Sequence, residues 1–366
     1  MRLQRKYLLI IFLAMLMMNS RCKDNRTGPN DSESEPELGR WQLLGLKGKL
    51  VSNLVFIGDY LYATAGRDGL YRLNRFASNT NWEYVGLADT NIERTLESGV
   101  TDVVSVEGNL LVSYAASERL QKHGIYRSMD NGLTWLPSDN GMSSIPEYST
   151  TSQVINLEKH PYKEKVVFAV TSVNLIYMSE DGGNSWRRVY GSPASSLIYV
   201  LKVNENFPNE IWVGGETGRF APYLLHSMDS GLNWRYITFP PNFGPYTYDN
   251  AVYDIAIDPK NDSVLYFGML GVIGKTTDKG ETFQRILGWE DGIYRHWRLA
   301  INPMNPQEIF ATGRYLYRTT DGGQSWQKIP PPDNRNELYA LAVDWQRRVL
   351  YVSTSSPGNG IYKLYF

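Results

Sequence analysis

Eight residues, T-T-D-G-G-Q-S-W from Thr319 to Trp326, return along most of the chain and limit what it can fold into. Ser128–Trp135 reads S-M-D-N-G-L-T-W, Ser179–Trp186 S-E-D-G-G-N-S-W, Ser227–Trp234 S-M-D-S-G-L-N-W and Thr276–Phe283 T-T-D-K-G-E-T-F. The shared pattern is [ST]-x-D-x-G-x-[STN]-[WF]. Its chemistry is that of a tight turn between two strands: the carboxylate accepts backbone N–H groups, and the glycine supplies a positive φ. The closing aromatic starts the next strand with a large apolar face, and the hydroxyls tie the turn to the strand before it. Asp130, Asp181, Asp229, Asp278 and Asp321 are therefore read as structural. A calcium loop has similar D-x-[DN]-x-G spacing, but no copy carries the further carboxylates and terminal Glu that such a loop needs.

The spacing of the aromatics sets the architecture. Trp41, Trp82, Trp135, Trp186, Trp234, Phe283 and Trp326 follow one another in steps of 41, 53, 51, 48, 49 and 43 residues, a period that belongs to propellers or solenoids. Trp82 ends a decayed copy with Ala77 and Asn79 in place of the Asp and Gly, and Trp41 has no box before it. Around each box, β-branched and aromatic runs mark four short antiparallel strands, A to D; in the sixth unit these are His296–Asn302, Glu308–Thr312, Tyr315–Thr319 and Ser325–Ile329. Four strands per unit make a propeller blade. The last unit, from Glu337, supplies A, B and C and stops at Phe366, while R-W-Q-L-L-G-L from Arg40 reads like the sequence after a box. The expectation is an all-β, seven-bladed propeller closed by the N-terminal strand, leaving no free edge.

The repeated pattern resembles the Asp-box, or BNR repeat, of sialidases, xyloglucanase-type glycosidases, the sortilin ectodomain and photosystem II assembly factors. That resemblance implies the propeller fold, with this turn on the face away from the binding site. It says little about activity.

Composition fits one large β domain: 366 residues, 13% aromatic, with 32 Gly and 18 Pro. A net charge of -1 gives no strong attraction to nucleic acid or an anionic membrane. Arg2, Arg5 and Lys6 precede the apolar run Tyr7–Met18, the layout of a secretory signal and too short for a comfortable transmembrane helix. Cys22, the one cysteine, lies just past that run and resembles the acylated cysteine of a bacterial lipoprotein. Arg21 departs from the small residues usual there, so an ordinary cleaved signal stays open. Lys23–Gly39 is polar, acidic and unable to bury a core, and is expected to be a disordered tether. The domain expectation is therefore a signal over 1–22, a tether over 23–39 and the propeller over 40–366, exported and monomeric.

The A-to-B and C-to-D connections share one face and are short and alike. The D-to-A and B-to-C connections on the other face are long and uneven, which marks that face as the functional one. Catalytic elbows, zinc motifs, phosphate loops and dinucleotide fingerprints are missing, and no cofactor or metal is expected. His123, His160, His226 and His296 lie in different units. Arg67, Arg219 and Arg314 fall in B-to-C loops, either converging toward the axis or bonded to loop carbonyls and water. Candidate carboxylates are Glu97, Glu147, Glu216, Asp249, Glu290, Asp291 and Glu337. Tyr246, Tyr248, Tyr253, Trp289, Tyr294 and Trp297, interleaved with Arg295, His296 and Arg298, crowd the entrances of the fifth and sixth units. They read either as channel-lining packing or as the anchors of a binding surface. The expected function is a non-catalytic protein- or glycan-binding module, with a sialidase-like or xyloglucanase-like glycosidase as the alternative and no nucleic-acid partner.

Overall fold

A computed structural model describes residues 39–77, 80–95, 98–115, 123–142, 153–191, 196–241, 243–244, 250–288, 295, 298–333, 337–355 and 360–366. Residues 1–38, which hold the expected signal, Cys22 and all of the expected tether except Gly39, lie outside the described residues. Among the described residues every regular element is a strand, and the strands form seven four-stranded antiparallel sheets. The A strands, Asn53–Ile57, Gly99–Val106, Val154–Lys159, Ser196–Val203, Val252–Ile257, Leu299–Ile301 and Leu338–Asp344, face one another around an axis, and B, C and D follow outward. The expected propeller is the observed one. Every strand pairing of the ring falls between Gln42 and Tyr365, so the closed unit contains all the backbone partners it needs.

All five boxes make the same turn. In the last copy, Asp321 Oδ1 accepts from the Thr319 hydroxyl at 2.7 Å and from Ser325 N at 3.0 Å, while Oδ2 accepts from the Ser325 hydroxyl at 2.6 Å. Gly323 N donates to Thr319 Oγ1 at 2.9 Å. Both carboxylate oxygens thus accept hydrogen bonds within the turn. Gly323 has φ of 92°, and a Cβ there would sit 2.5 Å from Ile286 Cδ1 of the preceding blade. The turn is therefore a packing element as well as a connection.

The aromatics that close the boxes stitch the rim. Each tryptophan indole donates to a backbone carbonyl on or beside the outer strand of the preceding blade: Trp82 to Leu44, Trp135 to Val85, Trp186 to Ser138, Trp234 to Val189 and Trp326 to Ile286. Trp41 completes the circle by donating to Pro330 at 2.8 Å. Phe283 has no N–H to give; its place in the ring is held by stacking on Phe239, Phe243 and Phe267 instead. Trp41 therefore occupies a box-aromatic position without a box, because Gln42–Gly45 is the D strand of blade seven, pairing with Ile361–Tyr365. Blade seven lacks a C-to-D turn, and both Gly39 and Phe366 lie where that turn would be, with Gly39 N donating to Tyr365 O at 2.9 Å.

The boxes also set an acid limit. Asp130 and Asp278 are held down to about 2, first by the Thr134 and Thr282 hydroxyls and then by the backbone N–H groups of the same threonines. Asp229 and Asp321 are lowered in the same way by Asn233 and Ser325; Asp181 is lowered too, its burial outweighed by Ser185 and Ser179. A carboxylate lowered on folding contributes stability that is full above its unfolded value near 4 and is lost as pH falls through the folded value. The melting temperature should therefore hold from pH 7 to about 4 and fall toward pH 2. A flat thermal profile across that window would show that the box hydrogen bonds contribute no net stability.

Candidate functional site

The inner strands carry charge where their neighbours are apolar. Asp102, 4% exposed, accepts at Oδ1 from Asn53 Nδ2 of blade one at 2.9 Å and Val103 N at 2.8 Å. At Oδ2 it accepts from Asn156 Nδ2 at 2.9 Å and Leu157 N at 3.0 Å, both of blade three. Similar links run around the ring: Asn156 Oδ1 accepts from Leu201 N of blade four, and, separately, Asp254 of blade five accepts from Leu299 N of blade six. Burial raises the Asp102 carboxyl, with the Leu157 and Val103 N–H groups and the charges of Lys202 and Arg298 working against it. Lys202 donates to Glu158 at 3.4 Å, and the Glu158 carboxylate raises the lysine above its usual value. Three acids and two bases thus share the axis.

At the loop-bearing mouth of this channel, side chains of blades four and five meet. The Tyr199 hydroxyl donates to buried Glu216 at 3.0 Å, and its ring packs edge-on to Tyr253 with centroids 5.2 Å apart. Arg295 Nε donates to the Tyr253 hydroxyl at 3.1 Å, and its backbone forms a bridge to Leu270. The Arg298 guanidinium lies 5.5 Å from the Tyr339 ring. Together these give a buried aromatic floor, Tyr253 lying under Arg295 and Tyr339 under Arg298, with Tyr199 partly buried beside it. That combination suits an amphipathic or hydrogen-bond-accepting ligand.

A scan against protein families finds no match for the chain. A Paenibacillus xyloglucanase is 23% identical over 377 residues, covering 88% of this chain and 36% of the relative. The chain spans about a third of that relative's length. Among solved structures, YCF48 from Cyanidioschyzon merolae superposes with a TM-score of 0.62 at 14% identity, over 89% of this chain and 98% of its own; YCF48 has also been solved bound to D1 peptide. A xyloglucanase of Xanthomonas campestris matches with a TM-score of 0.62 at 17% identity, over 89% of this chain and 53% of its own. These likenesses establish the propeller.

Of the binding residues expected from sequence, the structure brings Tyr253 and Arg295 into one contact and joins Glu216 to them through Tyr199. Tyr253 is buried and forms the floor. Tyr246, Tyr248, Trp289, Glu290, Asp291, Tyr294, His296 and Trp297 lie outside the described residues, as do Glu97, Glu147 and Asp249. Arg67 donates to the Ile92 carbonyl at 3.1 Å, Arg219 is exposed on a B-to-C turn, and Arg314 and Glu337 are half-buried. The histidines on the box side are structural: His226 bonds buried Glu210 at 2.8 Å and stacks on Trp212, and His160 Nδ1 accepts from the Tyr162 and Lys163 amides. Among the described residues, no group of three or more His, Cys, Asp or Glu is placed to hold a metal. Tyr199 and the axial Asp102, Glu158, Lys202 and Asp254 were missed as candidates. Their signal was a charged residue inside an apolar inner strand, as in V-T-D-V-V and V-Y-D-I-A.

Proposed function

We propose that this chain is an exported, lipid-anchored propeller of the Asp-box kind. It binds a protein or glycan partner through the face carrying the D-to-A and B-to-C loops, without turning it over. The observation that supports this most is the mouth assembly of Glu216, Tyr199, Tyr253 and Arg295, a buried aromatic floor covered by a guanidinium on the elaborated face. The fold neighbour solved with a D1 peptide adds the precedent of a propeller of this size acting as a binding module. The second reading, glycoside hydrolysis, draws on the xyloglucanase relatives, each much longer than this chain.

A crossed pair of variants tests the face. Arg295→Ala is expected to weaken ligand binding about tenfold or more, since an arginine beside an aromatic floor is a typical anchor, while the fold is kept. Asp321→Ala is expected to lower the melting temperature by about 2–4 °C and leave affinity alone. Binding is read against immobilised xyloglucan oligosaccharides and by capture of envelope proteins, with reducing-end release measured in parallel. Affinity lost in folded Asp321→Ala but kept in Arg295→Ala would put the site on the wrong face. Sustained sugar release abolished by Glu216→Gln would make the protein a hydrolase.

A further inference from the structure

The box face is the smoother side of the disc, yet among the described residues it carries most of the protruding apolar groups. Met129 and Met228 occupy the second position of their boxes, Leu133 and Leu232 the position after the glycine, and Tyr162 and Phe207 the tips of neighbouring A-to-B loops. Leu133 is 85% exposed, Tyr162 71%, Leu232 70% and Met129 66%. These side chains form an arc across blades two, three and four. Nothing in the turn chemistry calls for them: the boxes of blades three, five and six have Glu180, Thr277 and Thr320 at the second position and form the same turn.

The chain itself arrives on this face. Trp41 stands at a box-aromatic position, and Gly39 and Phe366 flank the place of the missing seventh turn, so the segment before residue 39 leaves from the box side. Cys22 is 17 residues before Gly39, and an extended tether of that length reaches at most about 60 Å. Anchorage at Cys22 would therefore hold the disc close to a bilayer. We propose that the box face seats on a lipid bilayer by inserting this arc. Met129, Leu133 and Leu232 stand on the crests of separate turns, while Tyr162, Phe207 and Met228 line a shallow cleft between blades three and four; protruding apolar crests of this kind suit insertion at a lipid interface. Some charges beside it pair within the face, Lys165 with Glu107 at 3.4 Å and Arg187 with Glu180 at 3.3 Å, and both signs are exposed next to Tyr162 and Phe207 in Lys163, Glu164 and Glu205. Partition should accordingly depend on apolar insertion and little on anionic lipid. The inference rests on the proposed function for the anchor at Cys22 and for what the opposite face does once it points away from the membrane.

The test uses Lys23–Phe366, which contains every strand of the closed ring but neither the apolar leader nor Cys22. It is sedimented with phosphatidylcholine vesicles, with and without phosphatidylglycerol. The wild-type protein should co-sediment with both, and Leu133→Asp/Leu232→Asp should lower partition about tenfold or more at an unchanged melting temperature. Arg295→Ala, on the other face, should sediment like wild type. Absence of wild-type co-sedimentation, or partition indifferent to the leucine pair, overturns the proposal. So does lipid-free self-association abolished by the same pair, which would give the arc to a second copy. If vesicle binding holds while Arg295→Ala has no effect on any captured ligand, the proposed function fails alone.

Discussion

Deleting Arg40–Leu46 should lower stability by roughly 5 kcal/mol or more and turn reversible melting into aggregation. The segment supplies the D strand of blade seven, with Gln42, Leu43 and Gly45 in register with Lys363, Tyr362 and Ile361. Each backbone hydrogen bond lost contributes about 1 kcal/mol, and the buried Leu44 side chain about 2 kcal/mol more. Two rim bonds disappear with it, the Trp41 indole to Pro330 and the Trp82 indole to Leu44. Strand Ile361–Tyr365 is then left as an open edge, the usual route to intermolecular pairing. A circular permutant joined through a box hairpin between Tyr365 and Trp41, and opened at another box, should instead keep the wild-type melting temperature. A deletion variant that melts like the full chain would mean that the ring closes without this strand.

The fold was legible because its repeated unit is made by side-chain chemistry. An Asp, a Gly and two hydroxyls in fixed order can make few turns, so five copies announced five C-to-D connections, and the missing D strand of the last unit pointed to Trp41. Strand ends were less clear: the D strand of blade six was expected from Ser325 and is seen over Gln327–Ile329, since alternation marks a strand without marking where pairing stops. The site was legible only in part. Aromatic crowding led to Tyr253 and Arg295, but nothing in the sequence pairs Tyr199 with Glu216 or brings Asn53, Asp102 and Asn156 to one point. Those contacts arise from the closure of the ring, which sets side by side residues one blade apart. The tryptophan ring is intermediate, since the aromatic position could be read whereas its acceptor on the neighbouring blade could not.

Asp102→Ala should be among the most damaging single substitutions in the chain, at roughly 3–5 kcal/mol. One carboxylate gathers donors from three blades: Asn53 from the first, Val103 from its own, and Asn156 and Leu157 from the third. Removing it leaves these N–H groups buried without an acceptor and strips Lys202 and Arg298 of a counter-charge. Asp102→Asn keeps the shape but turns one acceptor into a donor facing either the Asn53 or the Asn156 amide, so it should cost about 2 kcal/mol. Burial raises this carboxyl, while the Leu157 and Val103 N–H groups and the charges of Lys202 and Arg298 oppose the rise. The ordering Asp102→Ala below Asp102→Asn below wild type in melting temperature, with at least about 6 °C between the extremes, is the expected result. Coupling between Asp102→Asn and Asn156→Ala in a double-mutant cycle would assign the loss to their shared bond, whereas strict additivity would mean that the axial relay does not join blades two and three.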